Sequence, residues 1–193
     1  MNTKILTTHV GSLPRSKTLS EFLFAKDKGE SFNLTEFDEV VSQNVQEIVK
    51  KQLDIGIDFI SDGEMSKISY ATYVKDRING FSGESERRAP ADLDAFPEYK
   101  EKIAKSGGTP TYTRPCCTEE LSLKKNNDLL KDINNFTSAL KSNNHKNGFM
   151  NSASPGVINV FLPNKYFKFF DVIFSYSSDI IEDSFSRYSS SFL

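Results

Sequence analysis

Apolar residues recur every three to five positions in several long segments of this chain and bunch into short runs between them. These are the two rhythms of amphipathic helices and buried strands. Residues 36–53 carry Phe37, Val41, Val45, Ile48 and Leu53 on one stripe, with Thr35 as the expected N-cap, Asp38 three residues on and Gly56 as the stop. Residues 17–28 carry Leu19, Phe22 and Leu23 and end at Gly29, and residues 126–141 carry Leu129, Leu130, Ile133, Phe136 and Leu140. Further helices are expected over 66–78 and, more briefly, over 98–105. The runs at 5–8, 57–61 and 148–151 read as short buried strands, and 111–118 as another strand end.

Each of three strands runs into a polar stretch that contains glycine. The first is His9-Val10-Gly11-Ser12-Leu13-Pro14-Arg15, the second Asp62-Gly63-Glu64, and the third Ser152-Ala153-Ser154-Pro155-Gly156. A helix between the first two strands makes them parallel, so their C-terminal ends share one edge of the sheet. That edge is where α/β folds hold ligands. Glycine lets a ligand approach the backbone, and the serine, histidine and carboxylates supply donors, acceptors and charge.

The composition narrows the classes. With 193 residues the chain is long enough for one domain with a sizeable core. A net charge of −2 gives no basic excess for nucleic acid, and no run reaches the roughly 18 apolar residues of a membrane span. The start of the chain lacks a signal-peptide pattern, so a cytoplasmic location is expected. The two cysteines, Cys116 and Cys117, are adjacent, which excludes a disulfide framework and suits a reducing compartment. Residues 80–111, rich in glycine, proline and charge, read as a long excursion or lid. The last thirty residues hold eight serines, six phenylalanines and no glycine, with neither a helical nor a strand period, so 167–193 are expected to be an atypical tail outside the fold.

Three motifs in order carry a family resemblance: Thr-Thr-His-Val-Gly-Ser-Leu-Pro-Arg at 7–15, Asp-Phe-Ile-Ser-Asp-Gly-Glu at 58–64, and Phe-Met-Asn-Ser-Ala-Ser-Pro-Gly-Val-Ile at 149–158. Together they resemble the cobalamin-independent methionine synthase family, in its short members that match the C-terminal catalytic barrel. The resemblance implies an α/β fold of (β/α)8 TIM-barrel type. It also implies transfer of a methyl group from 5-methyltetrahydrofolate or a corrinoid donor to a zinc-activated thiol such as homocysteine, in methionine biosynthesis. By the same resemblance Gly11 and Ser12 hydrogen-bond the amino acid's carboxylate and Glu64 pairs with its ammonium. Asp62 and His9 join that shell, and Arg114 is a candidate for the anionic tail of the donor.

The chain also departs from the family pattern. The family's zinc ligands include a His-x-Cys pair, which this sequence lacks. His145 lies in a polar run and is expected to be solvated. Cys116 and Cys117 would face opposite sides of a strand, so no metal ligand is assigned. A barrel of this type needs about 250 residues, so residues 1–166 are expected to be its N-terminal half, truncated or altered after Tyr166. Small-molecule substrates are the expected partners, with a complementary chain or self-association to cover the open edges. Two other readings remain: a non-catalytic amino-acid-binding remnant, and a barrel protein similar to uroporphyrinogen decarboxylase.

Overall fold

The computed structural model describes residues 4–85, 91–106, 114–125 and 127–168. The tail expectation for 167–193 falls almost wholly outside these residues. The elements in chain order are α1 (Lys17–Lys28), α2 (Leu34–Asp54), β1 (Ile60–Ser61), α3 (Tyr70–Arg77), β2 (Ile78–Ser82), a 3-10 turn (Ala91–Ala95), α4 (Pro97–Ser106), β3 (Cys116–Leu123), α5 (Asp128–Ser142), β4 (Gly148–Phe149) and α6 (Pro155–Phe161).

Local chemistry explains most of the helix bounds. Ser16 accepts from the Leu19 amide to start α1, and Gly29, at φ 72°, closes it in the left-handed conformation that glycine adopts freely. The N-cap of α2 is Asn33 rather than Thr35. The Asn33 side chain accepts from the amides of both Thr35 and Glu36, which starts the helix earlier than expected. The helix expected over 66–78 is shorter at both ends. Its first residues belong to a turn that Arg15 clasps through the carbonyls of Glu64 and Lys67, and Ile78 is taken by β2.

The parallel sheet is small. β4 lies beside β1, with Ile60 opposite Gly148, and Thr8 bridges in parallel to Phe59 on the other side. The first strand is therefore reduced to one bridge. It is not buried, since Ile5 is 89% and Leu6 58% exposed; β1 flanks it on one side, and it sits at the sheet edge. Asp58 anchors it, accepting from the Thr7 amide at 2.9 Å, from the Thr7 hydroxyl and from Lys4.

Among the described residues β2 pairs with β3 in a separate antiparallel ribbon, from Ile78 opposite Leu123 to Ser82 opposite Cys116, and part of the excursion or lid expected over 80–111 lies outside the described residues. The α4 helix, close to its expected span, lies in the connection between the two strands. Two apolar clusters result. One joins α1, α2, β1 and α5 through Leu19, Val41, Val49, Ile60, Phe136 and Ala139. The other joins the ribbon to α3 and α6 through Val74, Phe81, Leu121, Ile158 and Leu162. His145 is half-buried rather than solvated, with Nε2 3.3 Å from the Asp58 carbonyl, because the turn after α5 folds back on the sheet edge.

Gly148 is where α5 presses on β4. A Cβ there would stand 2.7 Å from Phe136 Cζ and 2.8 Å from Leu140 Cδ1, both in the first cluster. Gly148→Ala is expected to destabilise the fold by about 1–3 kcal/mol through overpacking, read as a lower midpoint of thermal unfolding; an unchanged midpoint would mean that α5 does not pack there.

Candidate amino-acid-binding site

The loop after the first strand and the turn after β1 are tied to each other. The Leu13 amide donates to the Gly63 carbonyl at 3.0 Å, and Ser12 Oγ donates to Glu64 Oε2 at 2.8 Å. Asn151, just past β4, reaches the other carboxylate oxygen of Glu64, with Nδ2 3.3 Å from Oε1. Three consecutive strand ends thus converge on one carboxylate. From beneath, Gln52 of α2 fixes the end of β1: its Nε2 donates to the Ser61 carbonyl at 2.8 Å and its Oε1 accepts from the Ser61 amide at 3.1 Å. A buried side-chain amide here completes main-chain hydrogen bonding that the short strand leaves open.

The sequence candidates fall into place unequally. Ser12, Asp62 and Glu64 are brought together; Asp62 and Glu64 are buried, and Asp62 Oδ1 accepts from the Glu64 amide at 3.2 Å. Gly11 sits on the same loop at φ 103° with open space where a Cβ would point, a conformation that favours glycine. His9 is half-buried nearby, and its Nε2 is buried with no hydrogen-bond partner among the described residues. Arg114 is engaged elsewhere: Nε donates to the Phe161 carbonyl at 2.7 Å, so the guanidinium caps the end of α6, and donor binding gains no support. Two partners of Glu64 lay outside the residues assigned from sequence. Arg15 stands in the first polar loop, and Asn151 closes the strand expected over 148–151.

Burial sets the electrostatics. It pushes the Asp62 carboxyl above the ordinary carboxylate range, against the opposing pull of Lys67 and the Glu64 amide. It also lowers Arg15, while the charges of Glu64 and Asp62 act to keep the guanidinium protonated. Behind the turn, Lys67 is 3% exposed, with Nζ 4.3 Å from the centre of the Tyr73 ring. Tyr73 in turn donates to Asp132, which Arg77 pairs at 2.7 Å. A cavity of about 60 Å³ on this helical side is lined by Ser66, Lys67, Tyr73, Arg77 and Asp132 among others. Ion pairs such as Lys75–Asp27, Lys26–Asp76 and Lys131–Asp38 rim it.

Comparison with known proteins shows what this part of the chain is similar to. The family model for the catalytic domain of cobalamin-independent synthase matches residues 5–96, which include both the Gly11–Arg15 loop and the Asp62–Glu64 turn. These residues are similar to the catalytic domain of the cobalamin-independent methionine synthases. A methionine synthase of Sulfolobus acidocaldarius is 26% identical over 162 residues, 84% of this chain and 41% of the relative. The 5-methyltetrahydropteroyltriglutamate–homocysteine methyltransferase of Bifidobacterium longum (strain NCC 2705) is 31% identical over 75 residues, 39% of this chain and 10% of that protein. The solved B12-independent methionine synthase from Shewanella sp. W3-18-1, in complex with selenomethionine, aligns over 96% of this chain and 48% of its own, with a TM-score of 0.66 at 16% identity. The chain therefore spans about half the length of that methionine synthase. The fold is of (β/α)8 barrel type, and the described strands and helices correspond to part of such a barrel.

The zinc implied by the family resemblance finds no fitting ligands among the described residues. Among the described residues no three His, Cys, Asp or Glu side chains cluster so as to hold a metal ion. Cys116 and Cys117 are both buried in β3, and burial pushes the Cys117 thiol up to about 11, away from the thiolate that metal ligation needs. No helix among the described residues is long and apolar enough to cross a membrane.

The raised Asp62 carboxyl has a sign that can be checked. Its folded state favours the protonated form, so its contribution to stability is present below the ordinary carboxylate range and is lost as pH rises through its own titration. Asp62→Asn should unfold at the same temperature as the natural chain near pH 3.5 and at a higher one at pH 7; a lower midpoint at pH 7 would mean that the attraction to Lys67 outweighs burial.

Proposed function

We propose that the loop at 9–15, the turn at 62–64 and Asn151 bind the amino acid end of a homocysteine-like thiol, within a methyltransferase of the methionine synthase type. The observation that carries this reading is the convergence of three strand ends on Glu64, whose carboxylate oxygens accept from the neutral groups Ser12 Oγ and Asn151 Nδ2. Those bonds orient the carboxylate, and its negative charge would attract a ligand ammonium in a charge-assisted contact. The Gly11 amide and the Ser12 hydroxyl take the ligand's carboxylate, with His9 and Asp62 completing the shell. The Shewanella relative, solved with selenomethionine, supports an amino acid of this class as ligand.

In the reaction the thiolate takes the methyl group, and the departing donor atom keeps the electron pair of the broken bond. The names of the relatives point to 5-methyltetrahydropteroyltriglutamate as donor and homocysteine as acceptor, with a corrinoid as the other donor class. Zinc would lower the pKa of the acceptor thiol, but the described residues do not fit a zinc site, so the role assigned to this chain's own groups is to bind and orient the amino acid. A complementary chain is the proposed source of thiol activation, and the reducing cytoplasm the proposed location. The family-model match across the first two motifs favours this reading over a porphyrin decarboxylase.

Isothermal titration of the full chain with L-homocysteine tests the proposal. Binding should weaken about tenfold or more in Glu64→Gln, the worth of a hydrogen bond to a charged group, and by less in Ser12→Ala. Absence of binding to the natural chain, or equal binding by Glu64→Gln, would sink it.

A further inference from the structure

Glu64 has φ 56°, the left-handed region that side chains other than glycine rarely occupy unless their surroundings hold them there. It follows Gly63, also left-handed at φ 64°. The consequence for the site is directional. The backbone at residue 64 sets where its Cα–Cβ bond points, and an extended or helical residue there would carry the carboxylate away from Ser12 and Asn151.

The contacts that hold this turn are on its main chain. The Gly63 carbonyl accepts from the Leu13 amide, and the Glu64 amide donates to Asp62. The Glu64 carbonyl accepts from Arg15 Nη2 at 3.0 Å, and the same nitrogen donates to the Lys67 carbonyl at 2.6 Å. Lys67's own amide lies 3.4 Å from the Glu64 carbonyl, a weak closure for a turn of this kind. Arg15 therefore reaches from the first loop to both ends of the 64–67 turn. It binds the main chain of Glu64 while Ser12 and Asn151 bind the side chain.

We propose that Arg15 is a positioning residue, which fixes the left-handed backbone of Glu64 so that the carboxylate faces the ligand's ammonium. The inference rests on the amino-acid reading above for the ligand, and on the backbone geometry alone for the clasp.

The first test is a stability cycle in the full chain. Glycine at residue 64 needs no help to adopt φ 56°, so Arg15→Met should lower the unfolding midpoint by several degrees in the natural chain and by clearly less in the Glu64→Gly background. Equal losses in the two backgrounds would overturn the proposal. Where Arg15→Met alone does not fold, the double variant should fold, and its failure to do so would overturn the proposal equally.

The second test compares L-homocysteine with 4-mercaptobutyrate, which lacks the ammonium. The natural chain should prefer homocysteine. Arg15→Met, or Arg15→Gln where that variant folds better, should lose this preference about tenfold, with Arg15→Lys restoring part of it. A merely structural loss would weaken both thiols alike and would overturn the proposal. If the natural chain shows no preference, the amino-acid reading fails while the stability cycle still decides the role of Arg15.

Discussion

The hydrogen-bonded union of the first loop with the turn after β1 is the constraint on which the rest of the site depends. The Leu13 amide on the Gly63 carbonyl, Ser12 on the Glu64 carboxylate and Arg15 on the Glu64 and Lys67 carbonyls act across some fifty residues of sequence. Without them the two strand ends would be neighbouring loops. With them, a buried carboxylate is held in a left-handed backbone and aimed at one point.

This arrangement needs a rigid support, and the helices supply it. α2 presents Val41, Val45, Ile48 and Val49 to the sheet and to α5, and in the same layer places Gln52 where it closes the end of β1. A strand of two residues is too short to fix its own end by ladder bonds, so a buried amide from a long, well-anchored helix does it instead. Behind the turn, the Lys67–Tyr73–Arg77–Asp132 cluster keeps charges in a poorly solvated layer, where each depends on its neighbours.

The least protein-like feature of the surface lies along the first strand. Ile5, Leu6, Val10 and Phe59 are exposed along the first strand and its neighbour. The alignment covers 48% of the Shewanella enzyme's own length. Apolar strand edges of this kind pair readily with other chains.

How much was legible from sequence follows from the range of each interaction. The spans of α1, α4 and α5 rest on periodicity, on Ser16 and on Gly29, all local to the segment, and sequence alone determined them. It also determined the three strand ends and the family resemblance that the match over residues 5–96 bears out. The choice of Asn33 over Thr35, a shift of two residues, is decided by which side chain reaches the first-turn amides, and only geometry shows that. The antiparallel ribbon of β2 and β3 pairs residues about 35 to 45 positions apart, so no local pattern in 80–111 announces it. Arg114 and Arg15 are the same residue type beside similar loops, yet one caps α6 and the other clasps Glu64. Sequence supplied the chemical groups; the tertiary structure decided which of them meet, because a hydrogen bond depends on a position in space that residues dozens apart set together.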